Sequence, residues 1–387
     1  MLTSKEKSLN VMGVETLDGV KPELAVSSDK LNLKEDKYLS QKHKLHWHLD
    51  RVVEFSNDKP IVPLYIDMGI TQTCNIHCQY CYYATPENRT TKIITTENLI
   101  RFLNDAAELG IKAIGFLGDG EPTVHPGCFD AVIAGGNAGL DMAISTNGAK
   151  LKEEKLEEFL RALTYIRFNI SAANAESYSR VMGTGPKVYN QVIKNISKCV
   201  ELKNRFGLKT TIGMQMVLVE ECVDQIVDYA KLGRDLGVDY VQIKQCSEHG
   251  IIKHGIVPQD YTIYEESFKE AETYMTKDFS VMIKRTKMNQ KVRSYDACYG
   301  CRFLPQIDGS GDVYPCGNWF GSKDFLIGNI NEQSIKEIFF SKRYEEIQKK
   351  VSEEVNVHTQ CGIGCRQNEI NQYLWDIKNP PNHINFI

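Results

Sequence analysis

Between Leu64 and Lys244, short apolar runs alternate with stretches of helical periodicity, and this alternation limits the possible folds more than any other feature of the chain. Strands are expected near 64–70, 112–117, 140–145, 165–171, 209–218 and 238–244, with helices near 95–109, 127–138, 152–162, 186–205 and 222–236 between them. Strands joined through a helix at this spacing must pair in parallel, by right-handed crossovers. Six such units can curl into an open barrel whose chemistry lies at the C-terminal ends of its strands. Functional residues should therefore stand just after strands.

The barrel is expected over 61–257. Residues 1–60 are polar and poorly periodic, apart from an amphipathic stretch at His46–Val53, and read as an extension with one helix. Residues 258–297 read as a helical connection. A second module follows over 298–387: a cysteine-rich region, 298–365, with a hairpin at Asp308-Gly309-Ser310-Gly311-Asp312, and a C-terminal helix.

Charge excludes some partners. The 46 basic and 50 acidic residues are mixed along the chain, so no basic stripe points to nucleic acid. The N-terminus has no apolar signal core, and no run approaches the ~18 apolar residues of a membrane span. A cytoplasmic protein without nucleic-acid or membrane partners is expected. In such a chain twelve cysteines point to metal or redox chemistry rather than to disulfides.

Their spacing carries the reading. Cys74-Asn75-Ile76-His77-Cys78-Gln79-Tyr80-Cys81 follows the first strand and brings three thiols onto one loop. Thiolates so arranged favour iron–sulfur or zinc. A closed zinc site wants a fourth protein ligand, which His77 or a distant residue would have to supply; three ligands instead leave a four-iron cubane with one open iron. This Cys-x3-Cys-x2-Cys spacing, with an aromatic residue before the last cysteine, closely resembles the signature of the radical S-adenosylmethionine (radical SAM) superfamily. The resemblance implies that S-adenosylmethionine chelates the open iron of a 4Fe-4S cluster held by Cys74, Cys78 and Cys81. Its reductive cleavage would yield a 5'-deoxyadenosyl radical that takes a hydrogen atom from substrate. It also implies an electron donor of the flavodoxin or ferredoxin type.

Other segments extend the resemblance at strand ends. Gly118-Asp119-Gly120-Glu121-Pro122 looks like the family's Gly-Gly-Glu-Pro motif, where backbone groups and Glu121 would hold the methionine ammonium; read alone it is a tight Gly-Pro turn. Ser145, Asn147, Asn169 and Ser171 end the third and fourth strands, where family members contact the ribose or carboxylate of the cofactor; capping and turn formation are the structural alternatives. Tyr80 and Gln215 are further candidate cofactor neighbours.

Near the C-terminus stand Cys298, Cys301, Cys316, Cys361 and Cys365. Cys301-x9-Gly311-x4-Cys316, and Gly328-Asn329-Ile330 beyond it, resemble the SPASM or twitch extension of radical enzymes. The full SPASM pattern has more cysteines and binds two clusters, so five cysteines imply one auxiliary 4Fe-4S cluster with one thiol to spare, Cys298 and Cys301 both having acceptable spacing. A structural zinc knuckle is the alternative. The expected fold is therefore α/β, a partial (β/α)6 radical SAM barrel with a C-terminal SPASM/twitch-like iron–sulfur domain.

Cys128, Cys199 and Cys222 read as small core residues. Cys246 follows the sixth strand and could return a hydrogen atom to a substrate radical; His249 and His254 could act as bases. The motifs say little about substrate. An auxiliary cluster suits two-electron oxidation of an alcohol, and a hydrogen-donating Cys246 suits epimerisation, so a small molecule such as a sugar, nucleotide-sugar or cyclitol is the first expectation. Modification of a ribosomally made peptide is the second, because residues 1–60 do not pattern as a leader-binding domain. A zinc-stabilised, non-catalytic scaffold stands as a different class.

Overall fold

The computed structural model describes residues 43–81, 83, 90–246, 257, 258, 260–290, 292–362 and 364–386. His249 and His254 lie outside the described residues.

Helix α1 (Leu49–Ser56) precedes β1 (Tyr65–Met68). Then come α2 (Thr96–Leu109), β2 (Ala113–Phe116), α3 (Cys128–Asn137), β3 (Asp141–Thr146), α4 (Leu156–Ala162) and β4 (Leu163–Asn169). After α5 (Ala175–Val181) and α6 (Pro186–Phe206) the chain forms β5 (Thr211–Leu218), α7 (Ile226–Leu236) and β6 (Tyr240–Gln245). Strands β1 to β6 pair in parallel, each with its neighbour in sequence. Local signals fix the helix ends: Thr95 Oγ1 accepts from Asn98 N at 3.2 Å to start α2, and Gly110, at φ 92°, closes it in the left-handed conformation that glycine adopts without strain.

The sheet is larger than the sequence suggests. Beyond α8 (Glu265–Glu272), β7 (Ser280–Ile283) adds in parallel to β6, within a segment expected to be a helical connection. Four residues are too few to show a period of two. After α9 (Arg285–Met288), the expected hairpin forms β8 (Gln306–Ile307) and β9 (Asp312–Tyr314), and β10 (Gly328–Asn329) pairs antiparallel with β9. Because β8 also pairs in parallel with β1, barrel and C-terminal module share one ten-stranded sheet in the order β10-β9-β8-β1-β2-β3-β4-β5-β6-β7. Helices α10 (Ile335–Phe339), α11 (Lys342–Glu353) and α12 (Asn368–Lys378) complete the fold. The chain is thus an α/β protein built on a partial (β/α)6 barrel with a C-terminal domain.

Alternation sorts the side chains of each strand. On β4, Ile166 and Phe168 are fully buried, while Tyr165, Arg167 and Asn169 take the other face and are half-buried. The helix-facing positions join Phe102, Phe116, Phe129 and Phe159 in one apolar core, where each such side chain contributes about 1.5–3 kcal/mol. The opposite faces of β3 to β6 carry Ser145, Arg167, Asn169, Gln215, Gln242 and Lys244 and line the barrel lumen. A second, smaller core holds Val52 and Phe55 of α1 against Leu64, Phe303 and Leu374. Leu64 N also donates to Phe303 O at 3.1 Å, fastening the barrel entrance to the C-terminal module.

Candidate active site

Three loops converge at the C-terminal end of β1. The thiol loop is stitched to the end of α5, where His77 N donates to Met182 O at 3.2 Å and Gln79 N to Val181 O at 2.9 Å. Cys74, Cys78 and Cys81 are all partly exposed on it. The Gly118–Pro122 loop lies against its base: a Cβ on Gly118 would overlap Gly69, and one on Gly120 would overlap the Thr71 carbonyl. Glycine is required there by close backbone approach.

Glu121 is buried, and its work is first of all internal. Oε1 accepts from Thr123 N at 3.0 Å, Thr123 Oγ1 at 2.6 Å and Thr146 Oγ1 at 2.5 Å; Oε2 accepts from Asn147 N at 2.7 Å. Burial pushes its carboxyl up, against the pull of these donors. It ties the β2 loop to the end of β3 and leaves acceptor capacity only on Oε2. Asn147 is committed too, since Nδ2 donates to Asn75 Oδ1 at 2.8 Å and Oδ1 accepts from Ala149 N at 3.0 Å. Its side chain positions the thiol loop. Ser171 is engaged internally in the same way. Fully buried, it donates to the Tyr80 hydroxyl at 2.9 Å and accepts from Val217 N at 3.0 Å, so it holds Tyr80 in place. Burial raises the Tyr80 phenol well above its ordinary value, keeping it neutral.

Ser145, Asn169 and Gln215 are brought together. Ser145 Oγ and Gln215 Nε2 both donate to Asn169 Oδ1, at 3.2 and 3.0 Å, and Gln242 Nε2 continues to Gln215 Oε1 at 2.7 Å. A polar row thus crosses four strands, β3 to β6, on the lumen face. Arg167, which the sequence reading did not single out, donates Nε to Ser145 Oγ at 3.1 Å. The period-two polarity of Tyr165, Arg167 and Asn169 on β4 was the available signal. Cys246 is buried just past β6, within electrostatic reach of Lys244.

The five C-terminal thiols gather around Cys298. Cys298 accepts from Asn371 Nδ2 at 3.5 Å, lies 3.6 Å from Gln367 Oε1, and has its pKa lowered by its pairing with Cys301. The charge of Cys298 is felt at Cys316, Cys361 and Cys365, whose thiols burial pushes up. Cys301 is fully buried and directs its thiol 3.0 Å from Gln348 Oε1 on α11. Cys301 in turn senses Cys298 and Cys316, so all five thiols neighbour one cluster site. Among the described residues, no group of three or more His, Cys, Asp or Glu is arranged to hold a metal ion. A closed zinc site would need thiolates packed around one ion at about 2.3 Å. Two sets of free thiols, three and five in number, stand on separate loops, a donor set that suits iron–sulfur cubanes.

Asp119, also missed from sequence, joins the two regions. Its buried carboxylate accepts from Gly309 N, at 2.9 and 3.1 Å, in the β8–β9 turn. A Cβ on Gly309 would overlap the Thr71 backbone. The segment leading to Cys74 is thereby clamped between the β2 loop and the C-terminal hairpin. Across the lumen, Arg366, next to Cys365, forms an ion pair with Asp67 of β1. No helix among the described residues is long and apolar enough to cross a membrane.

Comparison with known proteins agrees with this geometry. Residues 68–242 match the radical SAM superfamily model, and residues 298–366 match the SPASM model, an iron-sulfur cluster-binding domain. The AdoMet-dependent heme synthase of Methanosarcina barkeri is 26% identical over 79% of this chain and 91% of its own. A GTP 3',8-cyclase of Helicobacter pylori is 28% identical over 65% of this chain and 79% of its own. The antilisterial bacteriocin subtilosin biosynthesis protein AlbA of Bacillus subtilis is 23% identical over 81% and 67%. Among solved structures, Streptococcus suis SuiB bound to S-adenosylmethionine superposes with a TM-score of 0.60 at 18% identity, covering 79% of this chain and 72% of that one. The cofactors are S-adenosylmethionine and 4Fe-4S clusters, and the zinc-stabilised scaffold is overturned by the two family matches. With its barrel and its C-terminal module each matched, the chain belongs to the radical SAM superfamily and carries a C-terminal SPASM iron–sulfur domain.

Proposed function

We propose that this radical SAM enzyme takes a hydrogen atom from a peptide that lies in the polar lumen between its two sets of thiols. Cys74, Cys78 and Cys81 hold the radical-generating cluster, and Cys298, Cys316, Cys361 and Cys365 hold one auxiliary cluster. When bound, the first cluster and S-adenosylmethionine supply hydrogen-atom abstraction, with electrons from a flavodoxin or ferredoxin type donor. The backbone of Gly118 and Gly120 and the remaining acceptor capacity of Glu121 receive the methionine ammonium. Ser145, Asn169 and Gln215 present the polar row to the ribose and carboxylate, and Tyr80, fixed by Ser171, borders the adenine.

The observation that favours a peptide is the similarity, over 81% of this chain, to AlbA, a bacteriocin biosynthesis protein by name. An open groove at the barrel mouth would admit an extended chain, whereas a saccharide suits a compact pocket. Oxidation or epimerisation of a sugar, nucleotide-sugar or cyclitol, the first expectation from sequence, has no support among the relatives named above. Cys246 would still decide the outcome if its thiol returns a hydrogen atom, since the substrate then ends at its original oxidation level.

Anaerobic reconstitution with iron and sulfide quantitation tests the cofactor assignment. About eight irons in the wild type, and about four with loss of S-adenosylmethionine cleavage in a Cys74→Ala, Cys78→Ala, Cys81→Ala variant, are expected. The substrate class is tested by 5'-deoxyadenosine formation: stimulation by a tryptic peptide library supports it, and stimulation by a panel of sugars and cyclitols alone overturns it.

A further inference from the structure

Three cations share the lumen with no ion-pair partner among the described residues. Arg167 on β4 and Lys244 on β6 occupy lumen-facing strand positions, and Lys287 stands on α9, just after β7. All three are only partly exposed, and each lies within electrostatic range of the other two. Lys244 and Lys287 make no hydrogen bond or ion pair among the described residues, and Arg167 uses Nε on Ser145 and keeps both Nη groups open. The acids nearby do not answer them. Asp67 is taken by Arg366, and Glu369, which Lys287 senses, reaches no ion pair with it.

Like charges held together away from bulk water destabilise a fold unless something neutralises them. The chain does not lack acids, with 50 against 46 bases, and elsewhere partly buried cations are paired, as Lys203 is with Asp239 and Arg285 with Glu265. Among the described residues this trio stands without an ion pair. The position is also specific. Lys244 precedes Cys246, Lys287 senses Cys365 of the auxiliary set, and Arg167 touches the polar row at Ser145, so the trio spans the space between the two cofactor regions.

We infer that the substrate carries an oxyanion, a carboxylate or a phosphate, that docks between Arg167, Lys244 and Lys287. Arg167 offers a planar fork and the two lysines point charges, a set that recognises an oxygen anion by charge and orients it by hydrogen bonds. On the peptide reading the anion is an acidic side chain or a terminal carboxylate. The inference rests on the reading that substrate occupies this lumen.

The test is calorimetric titration of the anaerobically reconstituted full-length protein with inorganic phosphate and, separately, with succinate. S-adenosylmethionine is kept saturating, so that its own carboxylate is not the anion scored. Saturable binding is expected in the wild type, weakened about tenfold or more in Lys244→Met and in Arg167→Met and recovered in Lys244→Arg. Tighter binding of succinate identifies a carboxylate substrate, and tighter binding of phosphate a phosphorylated one. Absence of saturable binding of either anion, or equal affinity in wild type and both methionine variants, overturns the inference. Failure of the parent reading appears elsewhere, as absence of S-adenosylmethionine cleavage by the wild-type protein.

Discussion

Replacing Asp119 by asparagine tests how the C-terminal hairpin is held to the barrel. The Asp119 carboxyl is 4% exposed, accepts from Gly309 N through both oxygens and faces Asp308. Burial, and then the charge of Asp308, raise it from 3.8 to about 7. The folded protein therefore holds this proton more tightly than the unfolded chain. The resulting stability is fully present below pH 3.8 and is lost as pH rises through about 7. A displacement of that size corresponds to at most about 4 kcal/mol, and we expect about 1–3 kcal/mol after local relaxation. Asparagine keeps an oxygen for Gly309 N and carries no charge, so Asp119→Asn should match the wild type near pH 5 and exceed it at pH 8. Alanine leaves Gly309 N–H without its acceptor and should lose about 1–3 kcal/mol at both pH values. Thermal unfolding of the reconstituted proteins across this range reads the difference. A gap between wild type and Asp119→Asn that does not change with pH would refute the argument.

Three further outcomes follow from the geometry. Cys298→Ser should lower the iron content by about four, whereas Cys301→Ser, whose thiol faces Gln348, should keep it, and the same iron and sulfide assay decides between the two. Lys244 is a partly buried amine whose pKa is lowered to about 8, first by burial and then by Arg167, so succinate or phosphate affinity should fall as pH rises through about 8; a flat profile from pH 7 to 9 would contradict this. Phe55, fully buried against Phe303 with ring centroids 5.8 Å apart, should cost about 3–5 kcal/mol on change to alanine, measured as a fall in thermal midpoint.

Much of this protein could be read from local pattern. Apolar runs alternating with helical periodicity placed β1 to β6, because parallel strands buried against helices need continuous apolar stretches. The thiol spacing marked both cofactor regions, since three or four sulfurs on short loops leave few chemical uses. Gly118, Gly120 and Glu121 were visible as a motif, as were Ser145, Asn169 and Gln215 by their place at strand ends. What these side chains do was not visible. Glu121, Asn147 and Ser171 share residue types with cofactor ligands, yet they spend their hydrogen bonds on Thr146, Asn75 and Tyr80.

Residues distant in sequence made the remaining decisions. β7 escaped because four residues carry no period, and the joining of β8 to β1 escaped because pairing partners some 240 positions apart leave no local trace. Cys298 and Cys301 both have acceptable spacing to Gly311, and only the fold shows the amides they meet, Gln367 and Gln348. The Asp119 link to Gly309 and the unpaired trio of Arg167, Lys244 and Lys287 are likewise products of assembly. Spacing and periodicity are properties of neighbours along the chain and determine which elements and cofactors are present. Burial, charge balance and the choice of hydrogen-bond partner depend on what the folded chain brings alongside, so the roles of individual side chains were decided only in three dimensions.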